Sequence, residues 1–391
     1  MRVFEQLETS RHEQVVYTYL HDAGLKAIIA IHDTTLGPAL GGVRMYPYAS
    51  EEDALQDVLR LARGMTYKAA AAGLNLGGGK AVIIGDPKKD KSETLFRAFG
   101  RAVDALGGRY ITAEDVGSDV LDMEYISQET PYVTGIDVTR GGSGDPSPFT
   151  AFGVLQGIKA SLEWKFGDQS LDGKIVAVQG VGTVGSSLIS LLRKGGAQVF
   201  AADVDEAALD RLRAQDPEVT IVSPSEILGV KCDVLAPCAL GAVINDDTIE
   251  ALQTQIIAGA ANNQLQTLEH GRMLQERGIL YAPDYVINAG GLMNVYVELD
   301  GYSRQRAFRL IRSIFHNTRR IFELSEKEGL TTAEASDRLA VRRMREIGRL
   351  AVCFNKFPRE RGHRPPSDET HDIDPLNIDD VAMGRPMEVH R

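Results

Sequence analysis

The sequence has few cysteines and no cysteine motif for a metal. Its 391 residues include only Cys232, Cys238 and Cys353, and no two of them have a CxxC spacing. A sparse and odd set of this kind argues against a disulfide scaffold and against a zinc site, and it fits a reducing compartment. We therefore predict a cytoplasmic protein that binds no metal.

The sequence also lacks an excess of positive charge and a long apolar segment. The formal net charge is -11, so no basic stripe is expected for a phosphate backbone, and we predict no nucleic-acid partner. No segment approaches the ~20 apolar residues of a membrane span. The first residues lead into charged side chains and not into an apolar signal segment, so we expect a soluble protein without a membrane partner.

The most unusual segment that is present is a run of three glycines followed by a lysine, within residues 76–80. Glycine lets a ligand approach the backbone closely, and a lysine becomes a catalytic amine when burial or a nearby positive charge lowers its pKa. Upstream, the neighbours of Lys68 in the sequence are mostly apolar. Downstream, Asp115 follows a predicted strand and is a candidate acid or base. The alternatives are a solvated turn for the glycines and a helix cap for Asp115.

The segments around this stretch predict an α/β structure for the first part of the chain. Residues 14–31 contain two β-rich segments around a turn, and residues 51–63 carry apolar side chains at helical spacing after the capping residue Ser50. Between them, Gly41 and Gly42 form a second glycine pair. This pair indicates either another place where backbone approaches a ligand or a tight turn beside a strand.

The second half of the chain has a dinucleotide-binding pattern. A predicted strand at residues 174–179 runs into GVGTVG at residues 180–185, which opens a helix, and a further strand ends at Asp203. The glycines allow the turn and the approach of a pyrophosphate, and the acid roughly 20 residues further on accepts hydrogen bonds from a ribose. Asp203 would repel a 2′-phosphate, and neither Val204 nor Asp205 is an arginine that would hold one. NAD is therefore favoured over NADP.

Two later segments extend this second region. A predicted strand at residues 255–260 is followed by Asn262, which we expect where nicotinamide and substrate meet. A glycine-rich turn at residues 288–291 precedes Leu292 and Val295, which recur at helical spacing. Such a helix either lines a ligand pocket or packs in the core.

Taken together, these motifs resemble the glutamate/leucine/phenylalanine/valine dehydrogenase superfamily, and most of all its leucine-oxidising members. The similarity covers roughly residues 10–350. The segments that carry it are residues 77–80, 113–117, 180–185, 236–239 and 288–291.

The resemblance implies an α/β fold of two domains with a cleft between them. Residues 1–140, rejoined by C-terminal helices at about 331–358, would form an α/β domain for substrate binding and oligomerisation. Residues 141–330 would form a Rossmann-type NAD-binding domain. Residues 359–391 are polar and contain prolines, and we expect a flexible tail. The expected assembly is a homo-oligomer.

The implied reaction is the reversible, NAD-dependent oxidation of a hydrophobic L-amino acid to the 2-oxo acid, ammonia and NADH. By similarity, Lys68 binds the substrate carboxylate, Lys80 activates the attacking water and polarises the carbonyl oxygen, and Asp115 shuttles protons. The other residues implied in substrate binding are Asn262, Leu40, Gly41, Gly42, Met65, Ala113, Leu292 and Val295. Those implied in cofactor binding are Thr150, Gly180, Val181, Gly182, Thr183, Val184, Gly185, Ser186, Asp203, Val204, Ala239, Ala260 and Asn262.

Substrate choice is open between two kinds of amino acid. No cationic side chain stands out to hold a γ-carboxylate, which disfavours glutamate. In the superfamily, alanine at the position of Ala113 is typical of leucine enzymes, and leucine at the position of Leu292 is typical of phenylalanine enzymes. Leucine, valine or isoleucine is predicted, with phenylalanine or another aromatic amino acid as the alternative. A catalytically silent regulator that binds NAD or an amino acid is the alternative of another class, which intact Lys68, Lys80 and Asp115 disfavour.

Overall fold

The computed structural model describes residues 3–239 and 241–353, which form two compact units. Within the described chain, the first unit contains residues 3–145, 295–303 and 339–353, and the second contains residues 146–294 and 304–338. The predicted tail at residues 359–391 lies outside the described residues, as does the end of the C-terminal helices that we expected near residue 358.

The sheet of the first unit is built around the strand that contains the three glycines. Its strands among the described residues are β1 (Gln14–Leu20), β2 (Leu25–Asp33), β3 (Ala39–Leu40), β4 (Val43–Tyr46), β5 (Gly77–Ile84) and β6 (Tyr110–Ile111). They lie in the order β1-β2-β5-β3-β6, and β4 also pairs with β5. Because β5 pairs antiparallel with β2 and parallel with both β3 and β4, it lies in the middle of the sheet.

The helices that cover this sheet include one that is longer than predicted. They are α1 (Val3–Ser10), α2 (Glu51–Ala71), α3 (Glu93–Asp104) and α4 (Val120–Ser127). Ser50 caps α2 as predicted, because its side chain accepts a backbone hydrogen bond at 3.1 Å. The apolar face of α2 continues through buried Thr66 and Ala69, so the helix reaches Ala71. Lys68 therefore lies in its last turn.

Side chains from helices bury both faces of the two central strands, β2 and β5. On one face, Ile28 and Val82 pack with Val58 of α2. On the other face, Ile29 packs in a cluster that includes Phe96 of α3. Since neither face of these two strands is open to water, they are buried along nearly their whole length and do not alternate between apolar and polar residues.

The three glycines are part of a buried strand and do not form a solvated turn. A Cβ on Gly78 would lie 2.1 Å from the backbone nitrogen of Thr66, and a Cβ on Gly79 would lie 2.8 Å from the ring of Tyr110. On the neighbouring segment, a Cβ on Gly41 would lie 1.8 Å from the carbonyl oxygen of Gly79. The protein's own atoms fill these spaces. Close packing of the chain, and not the approach of a ligand, therefore explains the glycines.

The second unit contains a parallel sheet of the dinucleotide-binding type. Its strands among the described residues are β7 (Ile175–Gln179), β8 (Gln198–Ala202), β9 (Thr220–Ile221), β10 (Cys232–Pro237), β11 (Thr254–Ile257) and β12 (Leu280–Tyr281). They lie in the order β9-β8-β7-β10-β11-β12, and every pairing is parallel. This is the strand order of a Rossmann sheet, in which the direction of winding reverses between β7 and β10. The predicted α/β fold with a Rossmann-type domain is confirmed.

The later helices include one that begins with two glycines. They are α5 (Ser147–Phe166), α6 (Thr183–Lys194), α7 (Glu206–Gln215), α8 (Leu268–Glu276), α9 (Asp284–Ile287), α10 (Gly290–Glu298), α11 (Arg304–Ile311), α12 (Ser313–Glu328) and α13 (Thr332–Cys353). The predicted turn at residues 288–291 is wrong in that Gly290 and Gly291 are helical. A Cβ on Gly290 would lie 2.0 Å from the carbonyl oxygen of Phe149, so glycine lets α10 begin against α5. Within the described residues, no helix has the length and apolar character of a membrane span.

Packing at Gly78 predicts a large loss of stability on adding one methyl group. Gly78→Ala should lower the free energy of unfolding by about 1–3 kcal/mol or more, because the new Cβ overlaps backbone atoms of α2 that cannot move freely. Gly64→Ala is the matched control. Gly64 is exposed within α2 and a Cβ there meets nothing within 4 Å, so this change should stabilise by about 0.5–1 kcal/mol through helix propensity. Urea unfolding of both variants measures the difference, and a Gly78→Ala protein as stable as wild type would contradict the packing argument.

Candidate active site

The first unit places Lys80 and Asp115 in direct contact. Lys80 lies on β5, is 6% exposed, and its Nζ is 3.1 Å from Oδ2 of Asp115. Asp115 lies in the segment after β6, where its backbone N–H donates to Oγ of Ser118 at 2.9 Å. That hydroxyl in turn donates to the carbonyl oxygen of Val43 on β4 at 2.8 Å. The backbone that carries the carboxylate is thus fixed to the strand beside β5.

Two short strands pair with β5 on either side of the lysine. On the same edge of β5, β3 pairs at Gly77 and Gly78, and β4 pairs from Ala81 onwards. Gly41 and Gly42 join β3 to β4 between these two pairings. A Cβ on Gly42 would lie 2.9 Å from Cβ of Asp115, so a larger residue at position 42 would push the carboxylate away. We conclude that glycine at position 42 sets the position of the acid.

The structure also brings Arg44 to the carboxylate, which the sequence analysis missed. The Nε of Arg44 donates to Oδ2 of Asp115 at 3.0 Å, and its Nη1 donates to Oδ2 of Asp57 on α2 at 2.8 Å. Burial raises the pKa of Asp115, but the charges of Lys80 and Arg44 outweigh burial and hold that pKa below its ordinary value. The only sequence signal was an arginine just after the glycine pair, and its partners are 13 and 71 residues away in the chain.

Glu114 is a second acid that the sequence analysis did not single out as a site residue. Burial, together with the nearby negative charges of Asp145, Asp119 and Asp115, raises its pKa to about 7. Glu114 therefore carries a proton for part of the time at neutral pH, directly beside the residue predicted to move protons.

The other predicted substrate residues are distributed over both units. Leu40 on β3 and Ala113 after β6 are buried in the first unit, and Met65 and Lys68 are half-buried on α2. A Cβ on Gly41 would lie 3.3 Å from Cγ of Met65, so these two residues are close together.

On α10, Leu292 belongs to the second unit and Val295 to the first, and Asn262 belongs to the second unit. Their joint role as a substrate pocket stays a prediction.

In the second unit, the glycines after β7 have distinct structural roles. Gly180 has a φ of +99°, and a Cβ there would lie 2.8 Å from atoms of Ala239. A Cβ on Gly185 would lie 2.0 Å from the carbonyl oxygen of Gly180. In contrast, Gly182 is the N-cap of α6 and a Cβ on it would meet nothing within 4 Å. Only at Gly182 does the missing side chain leave open space at the helix N-terminus, where a phosphate would be favoured.

A cavity of about 370 Å³ opens at this helix N-terminus. Its lining residues are Val181, Gly182, Thr183, Ser186, Asp203, Asp205, Ala208, Arg211, Leu212 and Gln215. Asp203 fixes the turn, because its Oδ2 accepts a hydrogen bond from the Val181 N–H at 2.5 Å. Burial raises the pKa of Asp203, but hydrogen bonds from backbone N–H groups outweigh it, so that pKa lies below its ordinary value. The glycine turn, helix N-terminus and acid fit a dinucleotide.

The cavity contains an arginine that the sequence analysis did not place there. Arg211 comes from α7, and its Nη2 lies 3.8 Å from Oδ2 of Asp205. Val204 is 88% exposed, next to Asp203. The sequence inference considered only Val204 and Asp205, whereas helical folding of residues 206–215 brings the arginine at position 211 to the same cavity.

The remaining predicted cofactor residues lie near the ends of neighbouring elements of the second unit. Asn288, 3% exposed, donates from Nδ2 to Oδ1 of Asn262 at 2.8 Å and to the carbonyl oxygen of Ala260 at 3.0 Å. Thr150 on α5 donates to the carbonyl oxygen of Pro146 at 3.0 Å. On α6, Val184 is half-buried and Ser186 donates to the carbonyl oxygen of Gly182 at 2.8 Å. Asn288 thus holds Asn262 in place, a role that the sequence alone did not reveal.

Comparison with known proteins gives consistent matches over most of the chain. Residues 12–132 match the Glu/Leu/Phe/Val dehydrogenase dimerisation domain, and residues 141–209 and 202–346 match the Glutamate/Leucine/Phenylalanine/Valine dehydrogenase domain. The leucine dehydrogenase of Geobacillus stearothermophilus is 55% identical over 354 residues, which is 90% of this chain and 96% of that protein. That of Thermoactinomyces intermedius is 54% identical with the same coverage.

A solved structure supports the same relationship. The crystal structure of L-tryptophan dehydrogenase from Nostoc punctiforme has a TM-score of 0.77 and 47% identity, and the match covers 88% of this chain and 99% of that chain. An α/β first unit with a buried lysine–aspartate pair and a Rossmann-type second unit define the class of amino-acid dehydrogenase. The chain belongs to the glutamate/leucine/phenylalanine/valine dehydrogenase family.

The raised pKa of Glu114 predicts a pH-dependent gain in stability for Glu114→Gln. At pH 8 the wild-type protein holds a carboxylate that folding disfavours, so the variant should be more stable by about 1 kcal/mol, since the side chain keeps part of its contact with water. The difference should shrink as pH falls through 7 and disappear near the ordinary value of 4.5, where Glu114 is protonated in both folded and unfolded chains.

Thermal unfolding at pH 5, 6, 7 and 8 measures this difference. Glu326→Gln, at an exposed carboxylate on α12, is the control and should show no comparable trend. A constant difference between Glu114→Gln and wild type across this range would contradict the assignment.

Proposed function

We propose that this protein is an NAD-dependent L-amino-acid dehydrogenase that acts on branched-chain amino acids. It would convert a zwitterionic amino acid, water and NAD⁺ to the 2-oxo acid, ammonium, NADH and one proton, and it would run in both directions. The buried ion pair of Lys80 and Asp115 supports this function most directly. A silent NAD-binding or amino-acid-binding regulator would have no use for a lysine held at 6% exposure against a carboxylate.

The roles of the side chains follow from what the reaction demands. Water must attack the carbon that becomes the 2-oxo group, so a base has to take a proton from it, and a neutral Lys80 is suited to this task. Asp115, 3.1 Å from the lysine, would carry protons to and from the amine that leaves. Lys68, in the last turn of α2, would bind the substrate carboxylate as a fixed positive charge.

The residues that we propose to bind the substrate side chain are apolar. Leu40, Ala113, Leu292 and Val295 are each at most 7% exposed, and Met65 is half-buried beside Gly41. Identity of 54–55% to two leucine dehydrogenases favours a branched aliphatic side chain. Leu292 and the tryptophan dehydrogenase relative keep an aromatic substrate as the second candidate. A pocket of this kind discriminates by only about 1–3 kcal/mol per methylene, so overlapping specificity is expected.

The second unit would bind NAD at the turn after β7. When bound, NAD⁺ supplies the acceptor for the hydride that leaves Cα. The N-terminus of α6 at Gly182 would hold the pyrophosphate, and Asp203 would accept the ribose hydroxyls. Thr150, Asn262 and the backbone near Ala239 and Ala260 are proposed to orient the nicotinamide. The negative charge of Asp203 supports NAD over NADP.

We also propose that the protein works in the cytoplasm as a homo-oligomer. Three cysteines in 391 residues suit a reducing compartment. The family domain that matches residues 12–132 is described as a dimerisation domain. At the edge of the first sheet, Tyr17 and Tyr19 of β1 are 51% and 67% exposed, which leaves an aromatic edge for a second copy. The partners would otherwise be small molecules only.

Removing the lysine amine should abolish turnover and leave cofactor binding intact. Lys80→Ala should reduce kcat by about 10³-fold or more, because no other base replaces it. NADH binding, measured by nucleotide fluorescence, should be unchanged within a few fold, since Lys80 lies in the first unit and the nucleotide cavity in the second. Lys26→Ala, at an exposed lysine on β2, is the control and should retain wild-type rates. Undiminished turnover by Lys80→Ala would refute the proposed mechanism.

A substrate panel tests the specificity. NADH formation should be fastest with leucine, valine and isoleucine, and slower by about tenfold or more with phenylalanine and tryptophan, because the apolar pocket sets the preference. Replacing NAD⁺ by NADP⁺ should lower kcat/KM by about 100-fold, through repulsion between Asp203 and the 2′-phosphate. A preference for phenylalanine would favour the second candidate. Nucleotide binding without any NADH formation would favour the silent regulator.

A further inference from the structure

One carboxylate oxygen in the first unit serves two cations. Oδ2 of Asp115 is 3.1 Å from Nζ of Lys80 and accepts a hydrogen bond from Nε of Arg44 at 3.0 Å. The side chains of Arg44 and Asp115 are 21% and 22% exposed, so solvent screens these charges only in part. Arg44 therefore competes with Lys80 for the same negative charge.

The position of Arg44 is fixed from its other side. Its Nη1 donates to Oδ2 of Asp57 at 2.8 Å, and the Tyr48 hydroxyl donates to the same oxygen at 2.7 Å. The other oxygen of Asp57 accepts from Nη2 of Arg60 at 2.9 Å. A planar guanidinium has N–H donors on three nitrogens and can bridge two carboxylates in this way. A lysine has only one donor nitrogen and lacks this geometry.

The proposed reaction needs a neutral Lys80, which a lone carboxylate would oppose. A carboxylate that contacts a lysine favours the ammonium form of that lysine. Arg44 cannot lose its own proton in this range. A fixed positive charge at 3.0 Å offsets the carboxylate and disfavours a second positive charge next to it.

We propose that Arg44 is a positioning residue that holds Asp115 and makes proton release from Lys80 possible at neutral pH. This role rests on the proposed function, because it applies to an enzyme in which Lys80 acts as a base. Arg44 touches neither the substrate nor the cofactor in this role, and it acts only through Asp115.

Other charged groups lie next to the members of this network. Asp57 on α2 interacts with Arg44 and Arg60, Tyr110 on β6 lies near the charge of Asp115, and Asp115, Asp119 and Asp145 act on Glu114. Arg60 is 58% exposed and bonded to Asp57. Arg44 is therefore the cation in direct contact with Asp115 besides Lys80 among the described residues.

The pH profile of Arg44→Met tests the proposal. The acid limb of the profile is the pH range in which kcat/KM rises as the pH is raised. Loss of the positive charge should move this limb to higher pH by about one unit, so activity at a given pH on the limb should fall about tenfold. Activity should recover at high pH to within a few fold of the wild-type plateau. Arg44→Gln is a second neutral variant in case the first folds poorly. Circular dichroism and NADH binding establish that each variant is folded.

Two further variants separate charge from general structure. Arg60→Met removes one positive charge from the far side of Asp57 and should leave the acid limb unmoved. Arg44→Lys keeps the charge but cannot bridge both carboxylates, so the limb should move less than in Arg44→Met, with the plateau again within a few fold of wild type. A uniform loss of rate in Arg44→Met, with no shift of the acid limb, would overturn the role of Arg44. Absence of NADH formation by the wild type with every amino acid would instead refute the proposed function.

Discussion

The contact between the Lys80 side chain and the Asp115 carboxylate is the constraint on which the first unit depends. A lysine that is 6% exposed loses most of its hydration, and that loss is tolerated only with a counter-charge close by. Buried ion pairs of this kind contribute little to stability compared with apolar side chains of similar size. Their presence in the middle of a sheet is therefore better explained by chemistry than by folding.

The glycines around this pair serve its geometry. Gly78 and Gly79 bring β5 close to α2 and to Tyr110, and Gly41 and Gly42 let the connection between β3 and β4 pass beside the lysine. A side chain at any of these positions would meet backbone or ring atoms within 3 Å. Close packing thus holds the amine and the acid at a fixed distance, which acid–base chemistry requires.

The second unit achieves fixed geometry by different means. Parallel strands end at one edge of the sheet, and the turn from β7 into α6 exposes a helix N-terminus next to the end of β8. Asp203 closes this arrangement because it accepts the Val181 N–H, so the acid expected to bind a ribose also holds the glycine turn. Arg211 and Asp205 form a charge pair at the wall of the same cavity, so the charge of this cavity depends on more residues than Asp203 alone.

The sequence by itself determined the element types, the Rossmann pattern around Gly180 and Asp203, and the choice of Lys80 and Asp115 as chemical groups. These follow from local periodicity and from motifs whose residues are close in the chain. Only the tertiary structure decided that the three glycines lie in a strand, that Arg44 bridges Asp115 and Asp57, and that Asn288 holds Asn262. Such contacts join residues tens of positions apart through strand pairing and helix packing, and no local pattern records which distant side chains will meet.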